Sequence, residues 1–175
     1  INSLLSRCLQ GDNSAQMQIY KLYYKAMYNT ALRILKDEFE AEDMMQEAFL
    51  TAFTKLDSFQ GEVSFGAWLK RIVINKSLTQ LKKNNRYNEV KMEVVYEDQP
   101  EAEEAINYGK LNTNKVLEVL NSLKDNYRVV LTLHLIEGFD YEEIAEILKY
   151  TNENVRTTIS RAKKKLKQLL VLETA

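Results

Sequence analysis

Cysteine, proline and glycine are scarce in this sequence of 175 residues, which contains one Cys, one Pro and five Gly. A single Cys excludes an internal disulfide, so we expect a reducing compartment, the cytoplasm. So few chain-breaking residues favour helices and exclude collagen-like, low-complexity and turn-rich all-β folds. The longest hydrophobic stretch lies within residues 129–136, far short of the roughly 18 residues that a membrane span needs, so we expect no membrane insertion.

Residues that build catalytic and metal sites are also scarce. His134 is the single His and Cys8 the single Cys, which excludes a zinc site or a redox pair within one chain. A Gly-rich phosphate-binding loop is missing, and the carboxylates lie on predicted helix surfaces without an acid–base pair. We therefore predict no enzyme activity, no metal and no cofactor. The first residues show no signal-peptide pattern, and Ile1 in place of Met indicates a trimmed start.

Charge is segregated along the chain, although the net charge is only −1. Residues 37–47 contain six acids and no base, residues 70–91 contain seven bases against Glu89, and residues 156–167 contain six bases and no acid. Two basic segments separated by an acidic stretch indicate two contacts with a polyanion, which leaves acidic surface for another partner. For any one segment the alternative is an ordinary solvated helix face.

Apolar residues recur at three- and four-residue spacing in several segments, which predicts an all-α fold of two small helical domains. The first is a bundle of three to four helices over residues 1–85, and the second has four helices over residues 113–172. Residues 86–112 lose the periodicity, gain acids and are predicted to be a linker. The predicted helices span residues 15–35, 41–56, 65–83, 116–123, 127–137, 141–148 and 152–170.

The last two predicted helices have the pattern of a helix-turn-helix. Asp140 and Glu143 have the spacing of a capping box, and Thr151 can cap the final helix. Such a helix enters the major groove, reads bases with its first residues and contacts phosphates with later lysines. An antiparallel hairpin with a solvated basic face is the alternative. The packing face is Val155, Ile159, Ala162 and Leu166; the predicted base readers are Arg156, Thr157, Ser160 and Arg161, and the predicted phosphate contacts are Lys163, Lys164, Lys165 and Lys167.

Three segments of the sequence resemble segments of one protein family and occur in the same order as in that family. The promoter-reading region of sigma factors is similar to residues 140–165, DYEEIAEILKYTNENVRTTISRAKKK. Their core-polymerase-binding segment resembles residues 41–53, AEDMMQEAFLTAF, and their promoter-melting segment resembles residues 64–83, SFGAWLKRIVINKSLTQLKK. With two modules and a short linker, the sequence is similar to the extracytoplasmic-function (ECF) subgroup of the sigma-70 family. The resemblance implies sigma region 2, a linker and sigma region 4 in the two predicted domains.

The resemblance implies an alternative sigma factor that binds core RNA polymerase, directs it to promoters and helps to melt DNA. The coiled coil and flap of the polymerase would be its protein contacts. The residues that match the core-binding motif lie opposite the apolar stripe of their helix, where Leu50 is a lone apolar residue on a polar face. These predicted core-polymerase contacts are Asp43, Gln46, Glu47, Leu50 and Thr54. An anti-sigma factor is a further partner that the resemblance implies.

In the family, the 65–83 helix and the loop before it bind the unpaired strand of the minus-ten element, with a flipped base in a pocket. Asn75 is accordingly predicted to recognise a base. Trp68 could offer a stacking surface, but Leu69 and Ile72 beside it favour burial. The final helix would read the minus-thirty-five duplex. The predicted backbone contacts are Arg71, Lys76, Lys82, Lys83 and Arg86, and Gln60 belongs to the loop that shapes the pocket.

Two places depart from the family pattern. Lys149 stands where the turn often has Gly, and a left-handed backbone there costs Lys about 1 kcal/mol relative to Gly. Glu153 and Asn154 replace Gly-Thr at the helix start, where Glu153 would oppose the DNA backbone.

Two rival functions stay open on the sequence alone. The first is a stand-alone repressor or activator with an N-terminal dimerisation bundle, which would bind duplex operator by itself as a symmetric dimer. The second is a helical adaptor that binds only protein. Initiation that depends on core polymerase would distinguish a sigma factor from both.

Overall fold

All regular structure in the described residues is helical, in a computed structural model that describes residues 1–88 and 112–174. This confirms the predicted all-α fold. The chain divides into two compact units, Ile1–Glu89 and Val90–Ala175. The elements are α1 (Asn2–Leu9), α2 (Asn13–Leu35), α3 (Glu38–Thr54), a 3-10 turn (Leu56–Ser58), α4 (Phe65–Asn88), α5 (Thr113–Ser122), α6 (Asp125–Leu131), a π-helical segment (Thr132–Ile136), α7 (Tyr141–Leu148) and α8 (Asn152–Thr174).

The core of the first unit lies between α2, α3 and α4, which all pack against one another, while α1 packs on α2. Small side chains let these helices approach closely: Ala31, Ala48 and Ala52 are fully buried. Larger side chains such as Ile19 and Leu69 fill the remaining space and are also fully buried. The predicted apolar stripe of α3 therefore faces the core, which leaves the opposite side of that helix in solvent.

The sequence does not predict α1, because its eight residues give barely two turns of periodicity. The connection from α1 to α2 is built around Asp12, whose carboxylate accepts hydrogen bonds from the amides of Ser14 and Ala15 at 2.8 and 3.2 Å. The same carboxylate lies 2.6 Å from the guanidinium of Arg7. The bond from Arg7, followed by the bond from the Ala15 amide, lowers the pKa of Asp12.

The second unit corrects one predicted helix. Instead of a continuous α-helix over 127–137, α6 ends at Leu131 and the chain continues as the π-helical segment. There the amide of Glu137 donates to the carbonyl of Thr132 at 3.0 Å, an i to i−5 bond. A π-helical turn contains one residue more than an α-helical turn. Apolar residues occupy most positions from 129 to 136, so hydrophobic periodicity does not reveal this insertion.

The end of the predicted 65–83 helix also differs. Helix α4 continues to Asn88 instead of ending at residue 83. The predicted acidic linker falls mostly on residues 89–111, which lie outside the described residues. Among the helices that are described, none has the length and apolar character needed to cross a membrane.

Candidate nucleic-acid and protein interfaces

Helix α3 presents to solvent the face that the sequence assigns to a protein partner. Its core side carries Ala41, Met45 and Ala48, all buried. On the opposite side Leu50 is 68% exposed, as the sequence predicts for an apolar residue on a polar face. The structure thus brings together on one exposed face all five predicted core-polymerase contacts, Asp43, Gln46, Glu47, Leu50 and Thr54.

Phe39 extends this face by one turn toward the start of α3 and is absent from the sequence-based prediction. It is 85% exposed, more than any other large hydrophobic residue in the described part of the chain. Phe39, Asp43 and Leu50 are separated by four and seven residues, which places them on one side of the helix. Extending the helical pattern four residues before Asp43 is the sequence signal that identifies Phe39.

Negative charge is concentrated at the start of α3. Asp37 caps the helix, with a carboxylate oxygen that accepts from the amide of Glu40 at 2.8 Å. This charge affects Tyr28 on α2. Burial is the main cause that raises the pKa of Tyr28, and the carboxylates of Glu38, Glu42 and Asp37 raise it further. A partner that binds this end of α3 must therefore tolerate or neutralise several carboxylates.

Two polar links join α3 to α4. Glu40 turns inward and accepts hydrogen bonds from the amide groups of Gln80 and Asn84, at 3.1 Å for Gln80 and at 2.8 and 3.0 Å for Asn84. About two turns further along α3, the ammonium of Lys76 lies 3.0 Å from a carboxylate oxygen of Glu47. A predicted DNA contact is therefore paired with a predicted polymerase contact.

The predicted minus-ten contacts of α4 divide between two sides of that helix. Arg71, Asn75 and Lys82 lie in one row at four- and seven-residue spacing, with Asn75 and Lys82 exposed and Arg71 half-buried. Lys76 points toward α3, and Lys83 is exposed on that side of the row. Gln60 is exposed in the loop before α4, and the side chain of Arg86 lies outside the described residues.

Trp68 is half-buried in an aromatic cluster where α4 begins, so the expected burial is only partial. Its ring lies 5.3 Å from that of Phe59 and 5.8 Å from that of Phe65, between centroids. Tyr23 of α2 packs against Phe65 at 5.6 Å. Phe59 directly precedes Gln60 of the predicted pocket loop, so these contacts attach one end of that loop to the core.

The helix-turn-helix of the second unit has the predicted caps. Asp140 accepts from the amide of Glu143 at 2.8 Å, and Glu143 accepts from the amide of Asp140 at 2.9 Å, which completes a capping box. Thr151 caps α8 by accepting from the amide of Asn154 at 3.2 Å. Lys149 adopts the left-handed conformation with φ of 58°, so the turn keeps the geometry that usually favours Gly.

Helix α8 separates its packing and polar faces as the sequence predicts. Val155, Ile159 and Ala162 are almost fully buried, and Leu166 is 9% exposed. Glu153 is exposed on the same side as Thr157 and Ser160, because these residues are four and seven positions apart. The structure thus exposes together all the predicted base readers and phosphate contacts, Arg156, Thr157, Ser160, Arg161, Lys163, Lys164, Lys165 and Lys167.

In the described part of the chain no cluster of three or more His, Cys, Asp or Glu side chains could bind a metal ion. The exposed chemistry is thus of two kinds: the acidic and apolar face of α3, and the basic faces of α4 and α8. Such a division suits a protein that contacts both a nucleic acid and a protein partner.

Family models match both units. The model for Sigma-70 region 2 matches residues 19–87, and the model for Sigma-70, region 4 matches residues 113–166. The first match contains α3 and all of α4 but its last residue, and the second contains α7 and α8 as far as Leu166.

Curated relatives match over nearly the whole chain. ECF RNA polymerase sigma factor SigW of Bacillus subtilis is 29% identical, over 97% of this chain and 96% of the relative. RNA polymerase sigma factor YlaC of the same organism is 31% identical, over 86% of this chain and 88% of the relative. Among solved structures, sigma factor RpoE from Bartonella quintana, crystallised with the anti-sigma factor NepR, is 28% identical with a TM-score of 0.61, over 88% of this chain and 95% of that one.

Proposed function

The chain belongs to the ECF group of the sigma-70 family, and from this premise we propose which of its surfaces perform each part of the function. It is an alternative sigma factor, which binds core RNA polymerase and promoter DNA and directs the enzyme to promoters. Nucleotide addition belongs to the polymerase, so we assign no catalytic step to this chain. We place it in the cytoplasm, where polymerase and chromosome are found.

The exposed face of α3 is the proposed docking site for the coiled coil of the polymerase. Asp43 and Glu47 supply negative charge there, while Phe39 and Leu50 supply apolar surface that water does not solvate well. Apolar side chains that become buried contribute most of the affinity, and the charges fix orientation and increase the association rate. A partner that presents basic residues around an apolar strip fits this face.

The row on α4 is the proposed binding site for the unpaired minus-ten strand. Asn75 is suited to a base because its amide group both donates and accepts hydrogen bonds. Arg71 and Lys82 on either side of it are suited to phosphates, with Lys83, Arg86 and Lys76 as further cations. Contacts of this kind offset DNA unpairing, which costs on the order of 1.4 kcal/mol per base-pair step.

The first residues of α8 are the proposed readers of the minus-thirty-five duplex. The Thr151 cap and the buried face of α8 hold this helix in the second unit, so Arg156, Thr157 and Ser160 are exposed together. Arginine can form two hydrogen bonds with guanine, and hydroxyl groups pair with several base edges. The lysines that follow contact phosphates and determine register and affinity without reading sequence.

One observation carries this assignment above all: a single short chain exposes an acidic and apolar helix face in the unit that also carries the cationic row of α4. A repressor that formed a symmetric dimer through this face would bring the carboxylates of two copies together, which is unfavourable. The Bartonella quintana relative is bound to an anti-sigma factor in its structure. We propose the same class of partner here, acting by covering the α3 and α8 surfaces that polymerase and DNA would use.

The test is transcription in vitro by bacterial core RNA polymerase on fragmented genomic DNA, with and without the purified chain, followed by sequencing of the transcripts. We expect new start sites that need the chain and share two upstream elements at fixed spacing. Duplex binding that is equally tight and specific without polymerase, with no chain-dependent start sites, would support a repressor and refute the proposal.

A further inference from the structure

Arg156, the first predicted base reader of α8, lies over the face of an aromatic ring from α7. Its guanidinium carbon is 5.9 Å from the ring centroid of Tyr141. Tyr141 also contacts His134, whose ring stacks on it with centroids 5.0 Å apart and planes inclined by 23°. Three side chains from three separate elements thus form one stack that ends at Arg156.

The stack is built on local features of the backbone. The π-helical segment carries His134, and Gly138 with φ of 80° turns the chain back so that the carbonyl of Phe139 faces the imidazole. Nδ1 of His134 lies 3.1 Å from that carbonyl oxygen, and because a carbonyl can only accept, Nδ1 must carry the proton. The capping box at Asp140 then places Tyr141 as the first residue of α7.

We propose that the rings of His134 and Tyr141 form a platform that orients the Arg156 guanidinium for base recognition in the minus-thirty-five duplex. An exposed arginine loses side-chain entropy when it is fixed against a base. Cation–π contact with Tyr141 restricts the guanidinium before DNA arrives, and His134 in turn restricts the tyrosine ring. Tyr141 and His134 are positioning residues in this scheme, and they act on specificity through Arg156. The inference rests on the proposed role of α8.

The experiment uses the full chain assembled with core RNA polymerase, which selects DNA from a promoter library randomised over both elements. The base preferences of the wild type are compared with those of Arg156→Ala, Tyr141→Leu, Tyr141→Phe and the double variant Tyr141→Leu/Arg156→Ala. Circular dichroism before selection shows which variants are folded.

We expect Arg156→Ala to reduce strongly, without removing, the preference at specific base pairs of the upstream element. Tyr141→Leu should reduce the preference at those same base pairs about two- to fivefold, the size of an exposed cation–π contact. Tyr141→Phe keeps the aromatic face and should keep the preference. In the Arg156→Ala background, Tyr141→Leu should have no further effect, because the arginine through which it acts is gone.

Each other outcome overturns a defined claim. If Arg156→Ala changes the preference and Tyr141→Leu does not, the platform is wrong while the role of α8 stands. If Tyr141→Leu causes the same loss with and without Arg156, the tyrosine is only structural and the inference fails. If Arg156→Ala changes no preference, the base-reading role of α8 fails and the platform with it. Should Tyr141→Leu not fold, Tyr141→Trp replaces it: a stronger cation–π partner must keep or raise the preference, and a loss refutes the platform.

Discussion

The ammonium of Lys76 on α4 lies 3.0 Å from a carboxylate oxygen of Glu47 on α3, so one ion pair connects the proposed DNA-binding helix to the proposed polymerase-binding helix. Neither side chain is deeply buried: 27% of Lys76 and 49% of Glu47 is exposed. At such exposure an ion pair stabilises a fold by only ~0.2–1 kcal/mol and is screened by salt. Both residues are therefore available to partners at small energetic cost.

Exchange of these two charges should separate stability from function. Lys76→Glu alone should lower the free energy of unfolding of the first unit by about 1 kcal/mol, because attraction becomes repulsion. Adding Glu47→Lys should restore it but should not restore polymerase binding. Fluorescence of Trp68, the one tryptophan, follows urea unfolding of the first unit. Equal stability of Lys76→Glu and wild type at low salt would show that the pair contributes nothing.

Reversing charge on α3 should abolish polymerase binding without unfolding the chain. Asp43→Arg with Glu47→Arg places positive charge on the proposed docking face, and both side chains are exposed. Co-purification with core RNA polymerase should be lost. The matched control is Glu118→Arg with Glu142→Arg, two exposed acids of the second unit, which should co-purify normally. If both double variants behave alike, net charge and not this face determines binding.

Apolar surface on α3 should contribute more affinity than any single charge. Phe39→Ser and Leu50→Ser should each weaken polymerase binding by ~1.5–3 kcal/mol if these side chains become buried in the complex. Leu22→Ser is the matched control, since Leu22 on α2 is 65% exposed and Leu50 is 68% exposed. Titration of labelled polymerase measures the difference. Normal binding by Phe39→Ser would restrict the docking face to residues 43–54.

Arg156 and Lys167 should have different effects on DNA recognition. Arg156→Ala should weaken binding to the cognate upstream duplex by ~1–3 kcal/mol and relax sequence preference. Lys167→Ala should weaken binding about equally for all sequences and reduce its salt dependence, as expected for a phosphate contact. Polymerase holoenzyme titrated with matched and scrambled duplexes provides both readouts. Unchanged sequence preference in Arg156→Ala would contradict the proposed docking of α8.

Removal of the capping box should destabilise the second unit. Asp140→Ala leaves the amide of Glu143 without its acceptor and should cost ~0.5–2 kcal/mol. Glu142 is an exposed neighbour in the same first turn, and Glu142→Ala should cost less, ~0.3 kcal/mol. Thermal unfolding followed by circular dichroism compares the two. Faster hydrogen exchange at the Glu143 amide should accompany the loss, and unchanged exchange would contradict it.

Features that depend on neighbouring residues follow from the sequence alone. The capping box joins Asp140 to Glu143, and the buried face of α8 repeats every three or four residues, so local spacing is enough to predict both. The extent of α7, Tyr141–Leu148, agrees with the predicted helix for the same reason. The exposed Leu50 follows from its position opposite the apolar stripe. These interactions are set by helix geometry, which does not need a tertiary partner.

Contacts between distant residues required the folded chain. Glu47 and Lys76 are 29 residues apart, and Glu40 and Asn84 are 44 apart, so their pairing depends on how α3 and α4 rotate and pack. The stack that ends at Arg156 needs the π-helical segment, which hydrophobic periodicity does not reveal. The sequence by itself therefore determined most of the helices, their buried faces and the family, because each is encoded over short spacings. Only tertiary packing decided which charged and aromatic side chains meet, because those distances depend on the relative positions of whole helices.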